Sequence, residues 1–202
     1  MHFLKTLAPP RPRYPRPPLE TCLQGPRVGL RIGDPTDWHA WRTLRELSRA
    51  FLTPWEPAWP INALSYGYYC GLLRRHVREW REGEGYNFHV LRRGEGALEG
   101  ALIGGISLTH IERGISQSGT LGYWMGEPFA GQGFMREAAS LVCAFAFETL
   151  QLHRLQASCM PANEPSIGLL HRLGFEQEGY AKAYLKIDGL WEDHLLWARV
   201  EK

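Results

Sequence analysis

The sequence predicts an α+β domain with the element order β-α-α-β-β-β-α-β-α-β-β. Three observations carry that prediction. Apolar residues at helical spacing dominate positions 34–82, and strand-like alternation replaces them from Tyr86 onward. Two strand–helix junctions follow, one glycine-rich at 126–133 and one at Asn163. The chain then closes on two further alternating segments, 176–185 and 192–200.

Val28-Gly-Leu-Arg-Ile32 is the first strand candidate. Asp34-Pro-Thr-Asp37 reads as a helix start: Asp34 or Thr36 can accept from orphan N–H groups, and Pro35 suits the first turn. Trp38, Trp41, Leu44, Leu47 and Phe51 continue it at helical spacing. Prolines 54, 57 and 60 make an aromatic, rigid loop. A second helix spans 62–82, with Leu64, Tyr68, Leu72, Leu73, Val77 and Trp80 on one side. Strands are expected at 86–91, 98–109 and 120–125. The glycine-rich stretch 126–133 leads into a helix over 134–150, with Ala138, Leu141, Val142, Phe145 and Thr149 as its buried face. A strand at 154–160 and a helix from Asn163 to Leu173, closed by Gly174, precede the last two strands.

At 202 residues the chain is long enough for one self-sufficient core. Its 44% hydrophobic and 22% charged composition excludes a disordered chain, and no apolar run reaches bilayer length, so no membrane association is expected. Four scattered cysteines form no CxxC pair, which points to a reducing compartment. The eight histidines show no HxxH or HExxH pattern, so no metal is implied. Residues 1–27 form a Pro/Arg-rich arm, with five Lys/Arg against Glu20. The domain proper is expected over 28–202, where 18 basic side chains meet 20 acidic ones. The body is therefore no nucleic-acid binder by charge, although the arm could contact a ribosome or RNA.

Two constellations can carry chemistry. Gly126-Glu-Pro-Phe-Ala-Gly-Gln-Gly133 lies between a strand and a helix, where backbone N–H groups and a helix dipole favour an anion. Phe134, Met135 and Arg136 follow Gly133, so neither a dinucleotide fingerprint nor a Walker loop is present. Asn163 and Ser166 sit on the next strand–helix junction and are expected in the same crevice. The bland alternative for Asn163 is a helix cap.

Leu121-Gly-Tyr-Trp-Met125, Phe129-Ala-Gly-Gln-Gly-Phe-Met135, Asn163-x-x-Ser166 and Leu173-Gly-Phe175, in this order, resemble the GNAT N-acetyltransferase superfamily. Segments 175–182 and 185–194, with Pro54-Trp-Glu-Pro57, resemble its RimJ/RimL branch, the ribosomal-protein alanine N-acetyltransferases. The resemblance implies a GNAT fold, a mixed and mostly antiparallel sheet of about seven strands flanked by four helices. It implies acetyl-CoA as cosubstrate, a protein N-terminal α-amine as acceptor, a cytoplasmic location and a monomer or homodimer.

The family's pyrophosphate loop, Gln/Arg-x-x-Gly-x-Gly/Ala, falls on Ala130, Gly131, Gln132, Gly133, Phe134 and Met135. Gly133 matches it, whereas Ala130 replaces the polar residue and Met135 the small one. Tyr123, Trp124 and Met125 would pair with the pantetheine arm, with the N–H near Met125 on the acetyl oxygen. Asn163 would bind pantetheine, and Ser166 would protonate the leaving sulfur. Glu56 is the first choice of base and Asp193 the second. Cys159 is expected to be buried core. Two other readings share these residues: acetylation of a small-molecule amine, or a non-catalytic acyl-CoA-binding ribosome-assembly factor.

Overall fold

A computed structural model describes residues 15–94 and 97–201. Most of the basic arm, residues 1–14, lies outside the described residues. The strands are β1 (Leu23–Gln24), β2 (Val28–Arg31), β3 (Tyr86–Gly94), β4 (Ala97–Glu112), β5 (Ser118–Met125), β6 (Arg154–Cys159), β7 (Glu176–Ile187) and β8 (Leu190–Val200). They form one sheet in the order β1-β2-β3-β4-β5-β6-β8-β7. Every neighbouring pair is antiparallel except β5 and β6. The helices are α1 (Trp38–Leu47), α2 (Arg49–Leu52), α3 (Tyr66–Glu82), α4 (Phe134–Ala144) and α5 (Glu164–Arg172). This is the expected α+β architecture with two additions, the short strand β1 and the one-turn helix α2.

The additions have local causes. β1 pairs Leu23 with Leu30, which adds a strand beyond β2. The helix expected over 38–51 breaks at Ser48, whose backbone sits at φ −94, ψ 8. Ser48 is fully buried and its hydroxyl accepts from Glu127 N at 2.9 Å, so the break ties the helix end to the loop after β5. Upstream, Asp34 caps the Pro35–Asp37 turn in a reciprocal capping box with Asp37. α3 starts at Tyr66 rather than 62, because Ser65 caps it by accepting from Tyr68 N.

After Ala144 the chain makes a π-turn over Phe145–Thr149. A wider turn inserts an extra residue per repeat and rotates everything beyond it. Ala138, Val142 and Phe145 are buried as expected, but Leu150 rather than Thr149 points inward.

Two apolar clusters hold the fold. The larger includes Val28, Phe88, Val90, Ile103, Ile106, Val142, Leu155 and Leu170. The smaller joins Trp41 and Leu44 of α1 to Tyr69 and Leu73 of α3, over Leu91 and Leu102. Leu102 and Ile103 enter different clusters, as successive strand residues must, so the clusters lie on opposite faces of the sheet. Each fully buried Leu or Phe contributes about 1.5–3 kcal/mol.

Gly104 lets the end of β5 approach closely. A Cβ there would lie 2.6 Å from Trp124 O, a backbone atom with little freedom to yield. Gly104→Ala is therefore expected to destabilise the protein by about 1–3 kcal/mol, read from denaturant melts. An unchanged midpoint would show that β5 moves aside without penalty.

Candidate active site

The site begins where the sheet comes apart. β5 and β6 pair only from Ser118 to Thr120 against Arg154 to Gln156. Beyond that β6 runs with β8, and β5 runs with β4 alone. Gly126 N donates to Ile103 O of β4 at 2.9 Å. Strand hydrogen bonding alternates in direction, so the N–H groups of Met125 and Tyr123 point away from β4, toward the open edge. An extended amide chain can pair there as a strand would.

The loop after β5 continues this edge into an anion-binding cradle. Gly131 and Gly133 adopt φ of +72 and +81, which glycine alone enters without strain. Gly133 is the N-cap of α4 and makes no side-chain cap. The first helical bond runs from Glu137 N to Gly133 O, so the N–H groups of Phe134, Met135 and Arg136 find no acceptor within the helix. These donors, with the helix dipole, suit a phosphate. The sequence-predicted residues Tyr123 to Met125 and Ala130 to Met135 thus form one continuous strip.

Across the opening stands α5. Asn163 Oδ1 accepts from Ser166 N at 3.1 Å, so its carbonyl oxygen caps the helix while its amide N–H groups stay available to a ligand. The Ser166 and Tyr123 hydroxyl oxygens are 2.7 Å apart. Burial pushes the Tyr123 phenol up to about 12, with the Ser166 hydrogen bond opposing the shift. Both hydroxyls of the pair are protonated at neutral pH. Cys159 is buried nearby, and desolvation raises its thiol.

Behind β5 lies a cavity of about 410 Å³. Tyr123 and Glu56 are both among its lining residues. Arg45 Nη1 and Nη2 donate to the two Glu56 oxygens at 2.7 and 2.6 Å, and Trp59 Nε1 donates to Oε2 at 2.9 Å. The Arg45 guanidinium lies 4.2 Å from the Trp59 ring and 4.9 Å from the Trp124 ring. Glu56 is therefore a fixed carboxylate, held by Arg45 and Trp59. Asp188 N, between β7 and β8, donates to Glu56 O at 2.9 Å and holds the loop from outside.

His76 and His89 also line the cavity, and burial pushes each down to about 4. Tyr69 Oη donates to Asp34 O at 3.0 Å and lies 2.9 Å from His89 Nε2. With the Tyr69 proton spent on Asp34, His89 Nε2 carries the hydrogen and Nδ1 is the bare nitrogen.

The structure does not bring Asp193 to the cavity. Its carboxylate accepts from Tyr180 Oη and, at 2.7 Å, from Ala183 N on the exposed β7–β8 hairpin. The Tyr180 hydrogen bond, followed by the Ala183 N–H, holds it below the usual carboxylate range. Sequence reasoning missed Arg45, the two histidines and the Tyr123 hydroxyl. The Tyr123 signal was present: it alternates with Leu121 and Met125 on a strand already marked for an amide ligand.

A splayed strand pair leading into a glycine cradle defines a class of acyl-CoA enzymes. Residues 27–176 match the acetyltransferase (GNAT) domain, and the chain belongs to that family. It is an acetyl-CoA-dependent N-acetyltransferase. The [ribosomal protein uS5]-alanine N-acetyltransferase of Escherichia coli (strain K12) is 37% identical over 167 residues, 80% of this chain and 82% of that protein. The crystal structure of ribosomal-protein-S5-alanine acetyltransferase from Vibrio fischeri superposes with a TM-score of 0.81 at 29% identity, covering 89% of this chain and 96% of that one. Mycobacterium smegmatis RimJ in complex with CoA-disulfide gives 0.79 at 31% identity, covering 89% and 86%. Among the described residues no helix is long and apolar enough to cross a membrane.

Proposed function

We propose that this enzyme acetylates a protein N-terminal α-amine, that of a ribosomal protein. The observation that carries the proposal is the cavity behind β5, lined by the fixed Glu56 carboxylate and by Tyr123, whose hydroxyl oxygen lies 2.7 Å from that of Ser166 on α5. The relatives named for ribosomal-protein alanine acetylation support the acceptor class.

Each residue then has a task. The cradle from Ala130 to Met135 holds the CoA diphosphate, and Asn163 with the open edge at Tyr123, Trp124 and Met125 holds the pantetheine amides. The Met125 N–H polarises the thioester carbonyl and stabilises the oxyanion that forms when the amine attacks. An α-amine has a pKa near 8, so an appreciable fraction is already neutral at neutral pH. Glu56 orients the amine and receives its proton. The Tyr123–Ser166 pair delivers a proton to the departing sulfur as the C–S bond breaks.

The test uses acetyl-CoA and two peptides, one with a free N-terminal Ala and no Lys, the other with a blocked N-terminus and an internal Lys. A 42 Da gain (roughly the mass of one acetyl group) on the first alone is expected. Modification of the second alone would replace this reading with lysine acetylation. Reaction of neither would favour a small amine or a binding role without turnover.

A further inference from the structure

The cradle has an electrostatic deficit. A diphosphate is to sit at residues 130–135, yet the stretch 126–133 carries no cationic side chain and one acid, Glu127. Glu137 adds a second carboxylate in the first turn of α4, beside the same N–H groups. An anion at a helix N-terminus is disfavoured by such a neighbour unless a cation offsets it.

A cation reaches the cradle from a distant part of the sequence. Arg27, just before β2, grips the cradle at several points. Its Nε donates to Glu137 Oε2 at 3.1 Å, while Arg27 N and Val28 N donate to Oε1 at 2.7 and 3.0 Å. Arg27 Nη1 donates to Gln132 O at 3.1 Å, which turns that carbonyl toward the guanidinium. The guanidinium also stands over the Phe134 ring at 4.8 Å. Arg27 Nη2 donates to no described residue. It lies 3.2 Å from where a Gly133 Cβ would be, and the side chain is 52% exposed. A free N–H pair on a half-exposed guanidinium therefore stands at the lip of the cradle.

We propose that Arg27 is a CoA-binding residue, supplying from outside the loop the cation that the diphosphate requires and that the loop lacks. The proposal rests on the acetyl-CoA reading of this cradle. Arg27 acts in two ways. It neutralises Glu137, and it directs Nη2 to a phosphate oxygen, an arrangement that suits guanidinium better than ammonium. Arg136 is exposed next to the cradle and Arg92 lies 6.0 Å from the Phe134 ring, whereas Arg27 is the one that donates to the loop backbone among the described residues.

The experiment is calorimetric binding to the full chain, with three probes. CoA carries both the diphosphate and the 3′-phosphate, dephospho-CoA the diphosphate alone, and pantetheine neither. Arg27→Ala is expected to weaken CoA and dephospho-CoA by about tenfold or more, the scale of a hydrogen bond to a charged group, and to leave pantetheine unchanged. Arg27→Lys is expected to recover part of that loss. Glu137→Gln keeps an acceptor for the two backbone N–H groups and releases the guanidinium, so CoA affinity should hold or rise. Three results would overturn the proposal: unchanged CoA binding in Arg27→Ala, an equal loss for pantetheine, or a loss in Glu137→Gln matching that of Arg27→Ala. The last would make Arg27 a strap for the loop and nothing more. Failure of the parent chain itself to bind CoA would instead remove the acetyl-CoA reading, and this inference with it.

Discussion

Replacing Tyr123 with Phe lowers kcat by a factor on the order of 100 or more, while CoA affinity stays within about twofold. The ring remains in the same packing and only the hydroxyl is lost. That hydroxyl is 2.7 Å from Ser166 Oγ and is held protonated by burial. A thiolate leaving without a proton donor reverts to thioester more readily than it departs. Ser166→Ala separates the two roles. If Ser166 is the terminal donor, both variants lose kcat to a similar extent. If Tyr123 is, Ser166→Ala is milder. Release of free CoA thiol, followed by a thiol reagent, measures both. Because the Tyr123 phenol is pushed up to about 12, the rate should climb as the acceptor amine deprotonates near pH 8 and show no descending limb below about pH 10. An unchanged kcat in Tyr123→Phe would remove the residue from proton transfer.

Acidification destabilises the fold through His89. The imidazole is 8% exposed, and burial pushes it down to about 4, with Asp37 opposing and Arg31 reinforcing the shift. Its unfolded value is near 6.5, so between about 4 and 6.5 the unfolded chain binds the extra proton. Stability therefore rises with pH across that window and is lost as pH falls through it. The full window is worth on the order of 3 kcal/mol, and about 2 kcal/mol is gone at pH 5. Urea melts at pH 7.5 and 5 measure the difference. His89→Gln keeps a donor for Tyr69 and removes the titration, so the gap between the two pH values should shrink by about that amount. An equal gap in the variant would assign the acid sensitivity elsewhere, His76 being the next candidate, pushed down to about 4 by burial and Arg75.

Sequence reasoning reached those parts of the protein that local chemistry controls. Asp34-Pro-Thr-Asp37 announced a helix start with Asp34 or Thr36 as its cap, because a cap acts within one turn, while the return bond from Asp37 that makes the box reciprocal came from the structure. The glycines of the cradle were legible because positive φ is a property of single residues. The break at Ser48 was not legible: it depends on Glu127, 79 positions away. The π-turn after Ala144 left no mark on the apolar spacing until Leu150 replaced Thr149 on the inner face. Glu56 was visible as an acid in a proline loop, but its clamp by Arg45 and Trp59 arises only when α1 meets that loop. Arg27 lay in the compositional arm, and nothing local links it to Glu137, 110 residues further on.

The three residue pairs that join β5 to β6 also divide the protein's cooperativity. On one side lie five strands ending at β5, and on the other β6, β8 and β7. Across this seam the sheet contributes few hydrogen bonds, and side-chain packing from α4 and α5 must do the rest. Local opening should concentrate there, with amides of the two halves exchanging as separate groups. A cosubstrate held along the gap, as proposed above, would act as a splint. At about 100 times its Kd it adds roughly 2.7 kcal/mol to the folded state, drawn from contacts to both halves at once. Such a molecule is then part of what makes the two halves unfold as one.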